Sequence, residues 1–316
     1  MIIQINPTKQ VPKINEDILT TLAYFDMFNY PLVAGEINLF LRNKYQQNDF
    51  DNALSGLVSN RLVFQFGIFY SLKNDHANIE KRRNGNKKAD ELIKVAERVG
   101  NLLIKFPYVR GLAISGSLSK NFADDHSDID LFIITSANRL WIARTLMHAF
   151  KKLTYLVNKQ DCFCMNYYVD EKQMEIAEKN IYTAIEIVTL IPLQGDAIME
   201  KFYATNNWTH QWLPNKIMRV SSAKPLRFNA LKQSIEAAFN NRLGDTIDNL
   251  LMKITAKRWL KKTQLNKLNA HGGIMAMATG KHYAKPDPEN FQTRLLRQYD
   301  VKMSHILHRP ESSMAQ

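Results

Sequence analysis

The sequence predicts an α/β (α+β) chain, and three observations predict it. Two short apolar runs, residues 111–114 and 129–134, are each of strand length and flank a polar loop. Two amphipathic stretches on either side of them, 89–106 and 137–156, repeat apolar residues at helical spacing. Residues 161–169, DCFCMNYYV, are rich in strand formers and supply a third strand. A small sheet flanked by helices therefore occupies the middle of the chain. Helices and a hairpin precede it, and a helical C-terminal region follows.

At 316 residues the chain favours two or three domains. Its apolar fraction of 45% supports packed cores and excludes a disordered chain. The first residues, MIIQINPTKQVPKINED, lack the basic-then-apolar pattern of a signal peptide. No window approaches the ~18 uninterrupted apolar residues of a membrane span. The two cysteines, Cys162 and Cys164, cannot support a disulfide framework and read as a buried reduced pair. The cytoplasm is the expected compartment. The net charge of +12 suits a polyanionic partner (nucleic acid, a nucleotide or an anionic membrane surface) without choosing among them.

Taken in order, the first helix follows from the helical spacing of Ile18, Leu19, Leu22 and Phe25, and it must end before Pro31. Residues 33–41 give a second helix with Ile37, Phe40 and Leu41. Residues 49–60 give a third, with Phe50, Ala53, Leu54, Leu57 and Val58 along one side. Residues 62–64 and 68–70 are short strands around Gly67. Three helices and a hairpin resemble a winged helix, here assigned to residues 1–76. The third helix of such a fold can enter a DNA groove, yet this one carries Asp49 and Asp51 and neither Lys nor Arg. A protein-contact or packing module is the expectation.

Residues 76–88, HANIEKRRNGNKK, read as a linker or as the solvated start of the helix at 89–106. Their bases Lys81, Arg82, Arg83, Lys87 and Lys88 suit a solvated face or a phosphate near a site. The helix delivers the chain through Pro107 into the first apolar run, which breaks at Gly116 and Ser117. The second run opens on Asp128 and Asp130, with one residue between them. On a strand the two carboxylates share a face while Ile129 points into the core. Adjacent carboxylates repel each other, and a hard divalent cation such as Mg²⁺ removes that cost. Such an ion takes oxygen ligands, typically one or two carboxylates plus substrate phosphates. Gly116 lets backbone approach a phosphate closely, and Ser117 adds a hydroxyl and an N–H.

An apolar strand, Gly116-Ser117, a spacer from Leu118 to Ser127, and Asp128-Ile129-Asp130 opening a second strand resemble the signature of the DNA polymerase β-like nucleotidyltransferase superfamily. The resemblance implies a small mixed nucleotidyltransferase sheet within a catalytic domain at 77–196. It implies Mg²⁺ (or Mn²⁺) on Asp128 and Asp130, and an NTP as substrate. Gly116 and Ser117 would cradle its phosphates, with Lys120 neutralising one. The superfamily's third strand often brings a third acid, whereas here the middle of that strand offers Asn166, with Asp161 and Asp170 at its ends. The implied function is transfer of a nucleoside monophosphate to an unidentified acceptor hydroxyl on nucleic acid or another anionic molecule. The rival is a catalytically weak or inactive module of the same fold, acting as nucleotide sensor or DNA- or protein-binding regulator. Asn166 supports that rival. No zinc, haem, flavin or Walker-type signature is present.

Residues 180–191 form the next helix, in which Glu186 interrupts an apolar run. A buried acid needs a partner, so Glu186 either bridges to a neighbouring arginine or serves the site as the base for the acceptor hydroxyl. Pro192 ends the helix and Gly195 marks a turn. Residues 197–316 are expected to be helical. Within 226–268 the bases Lys253, Lys257, Arg258, Lys261, Lys262 and Lys267 stand without an acid among them, as a solvated face or one for an anionic acceptor. Residues 280–291, GKHYAKPDPENF, read as a loop, 292–303 as a final helix, and the tail HRPESSMAQ as disordered.

Overall fold

The computed structural model describes residues 12–154, 163–216, 223–226, 229–264, 276–287 and 290–307. Asp161, Cys162, Lys267, Gly272, Gly273 and the tail from residue 308 lie outside the described residues. The fold is mixed α/β, with a three-stranded antiparallel sheet and a six-stranded mixed sheet. Among the described residues no helix is long and apolar enough to cross a membrane. The chain forms two compact units that are not contiguous in sequence. One holds the described residues of Met1–Arg82, His210–Lys216 and Leu295–Gln316; the other holds those of Arg83–Thr209 and Ile217–Arg294.

The first unit runs α1 (Lys13–Asp26), β1 (Leu32–Val33), α2 (Ala34–Leu39), α3 (Gln47–Ser59), β2 (Phe64–Phe66) and β3 (Phe69–Ser71). Strand β3 lies between β1 and β2, antiparallel to both. The residues picked out by helical spacing are its core: Ile18, Leu22, Phe25, Ile37, Phe50 and Leu57 are all buried. Val33, expected as helix, is extended instead. Its N–H donates to the Glu36 carboxylate at 3.0 Å, which fixes the start of α2.

Residues 76–88 are not a linker but open the long helix α4 (Ala77–Leu103). Its Arg82 is neither solvated nor placed for a phosphate, being 5% exposed. The guanidinium forks onto Glu36 at 2.8 and 2.9 Å, donates to the Pro31 carbonyl, and lies 4.0 Å from the Tyr30 ring centroid. A buried cation survives only with such a full set of partners. Arg82→Ala would strip Glu36 of its counter-charge and open a hole beside Tyr30. We expect a loss of about 3 kcal/mol in unfolding free energy, read as a lower urea midpoint with circular dichroism of the native state unchanged.

The second unit continues from α4 through β4 (Val109–Ile114), β5 (Asp130–Thr135), α5 (Leu140–Thr154), β6 (Cys164–Asp170), α6 (Ile181–Thr189), β7 (Ile191–Gln194) and α7 (Asp196–Thr205). Helices α8 (Ala230–Phe239) and α9 (Arg242–Gln264) follow, then β8 (Ala276–Thr279) and β9 (Tyr283–Asp287). The last helix, α10 (Phe291–Leu307), belongs to the first unit from Leu295 onward. The sheet order is β7-β4-β5-β6-β9-β8, with β5 and β6 parallel and every other pair antiparallel. A parallel pair needs a long crossover, and α5 is that crossover. Strands β4 and β5 lie inside the sheet, so their apolar runs are buried continuously from Leu112 to Ile114 and from Leu131 to Ile134.

Three strands of the six-stranded sheet were not expected. Pro192 does end α6, but the chain turns at once into β7 on the sheet edge, where a missing N–H costs no ladder bond. The C-terminal region is not wholly helical, because GKHYAKPDPENF supplies β9 and the preceding residues β8. Pro286 lies beyond the two residues of β9 that pair with β6, so the proline is tolerated. Helix α8 docks on the start of β4 through buried Lys232, whose amine donates to the carbonyls of Ile104 and Val109 at 2.8 and 2.6 Å. Glu236 accepts both guanidinium nitrogens of Arg110, at 2.9 and 2.7 Å.

Candidate active site

Strand β4 ends at Ile114, and the backbone then turns at Gly116 with φ +68°. A Cβ there would stand 2.4 Å from Oδ2 of Asp130. Only glycine meets both demands, a left-handed backbone and room for a carboxylate against its Cα. The two are brought together by the β4–β5 ladder, whose last bond runs from the Ser115 N–H to the Asp130 carbonyl at 2.9 Å. Ser117 then leads into a single 3₁₀ turn, Leu118–Lys120. The turn folds back on Gly116: its carbonyl accepts from Ser119 Oγ at 2.8 Å and from Lys120 Nζ at 3.0 Å. Lys120 also bridges to Glu186 on α6 at 2.7 Å. The expected partner of Glu186 was an arginine; it is this lysine from the glycine turn.

The loop that follows is seated on α4. Gly85 gives the room, since a Cβ there would lie 2.3 Å from the Phe122 ring. Ala123 donates to the Gly85 carbonyl at 3.2 Å, and Asn86 donates to Asn121. Asp128 differs from expectation, for β5 begins only at Asp130 and Asp128 is exposed in the loop before it. Buried Ile129 pins that loop, its carbonyl accepting from the Cys164 N–H at 2.8 Å.

Asp130 is the electrostatic centre. Burial first, then the charges of Glu186 and Asp128, push its carboxyl up to about 7, while Lys120 and Lys151 pull the other way. Burial and the Asp130 charge raise the Cys164 thiol above its ordinary value. Burial, with Glu186 next, raises the Tyr182 hydroxyl. Among the described residues no cluster of three or more His, Cys, Asp or Glu is close enough to hold an ion unaided.

The third acid is not found on β6. Register pairs Asp130 with Cys164, so a thiol occupies the neighbouring position. Asn166 lies at an irregularity, since pairing steps from Leu131–Met165 to Phe132–Tyr167 and leaves it unmatched. Asp170 sits at the far end of β6, paired with Thr135, about 17 Å from the Asp130 level at roughly 3.3 Å per residue. Its buried carboxylate is consumed there by the N–H groups of Asn138 and Lys172, at 2.8 and 2.9 Å, and by His282 at 2.9 Å. It clamps the β5–α5 loop to the β8–β9 turn. Cys164 carried no signal of its own in the sequence, because strand register is a long-range property.

No family model, curated protein or solved structure matches the chain.

The shifted carboxyl makes a stability prediction. The folded chain keeps Asp130 protonated up to about pH 7, whereas an unfolded aspartate ionises near 3.8. The folded state then holds the extra proton, so stability falls as pH rises between those values. Asp130→Asn escapes this loss. In metal-free buffer the variant should match the parent below pH 4 and exceed it at pH 8, by no more than about 4 kcal/mol at about 1.4 kcal/mol per tenfold in proton affinity. Urea denaturation at the two pH values measures it.

Proposed function

We propose that the chain is a nucleotidyltransferase of the DNA polymerase β-like type, transferring a nucleoside monophosphate from an NTP to an acceptor hydroxyl. The observation that carries this reading is the contact of the Asp130 carboxylate with the Cα of Gly116, beside Lys120 and Glu186. A desolvated carboxylate beside two other carboxylates is unfavourable without a cation, and its donors are the hard oxygens that Mg²⁺ takes. Asp128 and Asp130 fit as protein ligands, with triphosphate and water oxygens left to complete the shell. The bound ion would supply charge neutralisation on the triphosphate and acidify the acceptor hydroxyl.

The chain's own residues have distinct tasks. Gly116 and Ser117 present a turn with no side chain at its nearest point, suited to a phosphate. Lys120, held by Glu186 and the Gly116 carbonyl, brings a positive charge to that turn. Glu186 is the nominee for receiving the acceptor's proton. The order α1-β1-α2-α3-β2-β3 in the first unit supports a winged helix there. The exposed Asp49 and Asp51 on α3 favour a protein partner over DNA for it.

Calorimetric titration with MgATP and the other Mg-NTPs tests the reading. Asp130→Asn should lose at least tenfold in affinity for the NTP that the parent binds; equal binding removes the aspartates from the site. Glu186→Gln separates two roles. Slower transfer at unchanged NTP affinity marks it as the base; weakened NTP affinity marks it as the residue that positions Lys120.

The inactive-module reading is favoured by Cys164, a thiol where a third carboxylate would complete a two-ion arrangement. Cys164→Asp should therefore raise Mn²⁺ affinity in the presence of NTP by about tenfold, by electron paramagnetic resonance titration. Unchanged affinity would place the third ligand elsewhere.

A further inference from the structure

Helices α5 and α9, both in the second unit, share a charge pattern that the site above does not use. The sequence has no Asp or Glu from residue 131 to 160, a stretch that contains α5, nor from 249 to 286, which contains the later half of α9. On α9 the bases Lys253, Lys257, Arg258, Lys261 and Lys262 are exposed. On α5 the same is true of Lys152, with Lys151 and Arg144 half-buried. The two helices are joined through Arg144, whose guanidinium carbon lies 5.6 Å from the ring centroid of Trp141 on α5 and 4.9 Å from that of Trp259 on α9. Its Nε is buried without a hydrogen-bond partner. Two packed helical stretches without an acid therefore present a single-sign surface. Mixed signs are the usual composition of a merely solvated face.

This surface also leads to the site. Lys151, on the last turns of α5, donates to the Phe163 carbonyl at 2.7 Å, immediately before Cys164. Its charge acts on both Cys164 and Asp130. A chain of anions lying along α9 and α5 would be guided towards Asp130. A lipid surface fits less well, because the exposed apolar side chains Leu250, Ile254 and Leu260 are interleaved with the bases rather than gathered on an opposite face.

We infer that the α5–α9 face docks single-stranded nucleic acid and that this strand is the acceptor. The second half of the inference rests on the nucleotidyl-transfer reading; the docking does not. Phosphates spaced along a flexible strand meet a run of lysines without demanding an exact fit, and the contact is electrostatic and salt-dependent.

The test uses the full chain and a fluorescein-labelled 20-nucleotide single-stranded RNA of mixed sequence, by anisotropy from 50 to 200 mM KCl. The parent should bind, with affinity falling steeply with salt. The triple variant Lys257→Glu, Arg258→Glu, Lys261→Glu should bind at least tenfold more weakly. Its slope of log K against log salt should be shallower by about 2, three phosphate contacts at about 0.7 each. Titration of the same variant with whichever of the four Mg-NTPs the parent binds should match the parent, and an unchanged urea midpoint shows that the fold is intact. If none of MgATP, MgGTP, MgCTP and MgUTP binds the parent while RNA docking behaves as described, the docking face stands and the nucleotidyl reading falls. No RNA binding at 50 mM KCl, or equal binding by the triple variant, overturns the inference. So does binding of 1:1 phosphatidylglycerol–phosphatidylcholine vesicles in preference to the RNA.

Discussion

Everything about the candidate site depends on holding a carboxylate against a backbone where no Cβ fits. Gly116 and Asp130 lie on opposite sides of a polar loop, and the β4–β5 ladder is what presses them together. The ladder fixes the distance; the apolar runs on both strands fix the ladder by burial of every residue from Leu131 to Ile134. The core thus does its work at the site through register. A charge is forced into a position that it would not choose alone, and its raised proton affinity records that cost.

The surrounding structure manages this charge in stages. Glu186 adds to the negative field, yet it also holds Lys120, whose amine returns to the Gly116 carbonyl. The loop carrying Asp128 is kept in place from below by α4, where Gly85 makes room for Phe122. The same helix carries Arg82 a single turn earlier, in the other unit, anchored on Glu36 and Tyr30. One segment that reads as a polar, charged linker therefore contains two packing positions three residues apart.

The far end of the sheet is organised by a different carboxylate. Asp170 is fully buried, as expected of a residue with several N–H donors and a histidine around it, and its role is to hold loops. Asp130, half-buried, and Asp170, fully buried, are acids on neighbouring strands. One is saturated by backbone donors, the other is surrounded by further acids. Only the second has the character of a binding site, since a satisfied carboxylate has little left to offer a ligand.

The sequence alone determined the mixed α/β class, the core faces of α1, α2 and α3, and the two strands between which Gly116 turns and the second of which opens on Asp130. Each of those depends on periodicity or on punctuation by Gly and Pro, which are local and can be read along the chain. Tertiary structure alone decided that Cys164, rather than Asn166, stands beside Asp130, because pairing register is set by packing between distant segments. It also decided that residues 276–287 complete the sheet, for a short run broken by Gly280 and carrying Pro286 becomes a hairpin only where β6 offers an open edge. And it turned Arg82 inward: charge and composition cannot tell a solvated arginine from a buried one, since the difference lies in whether Glu36, Pro31 and Tyr30 converge to receive it.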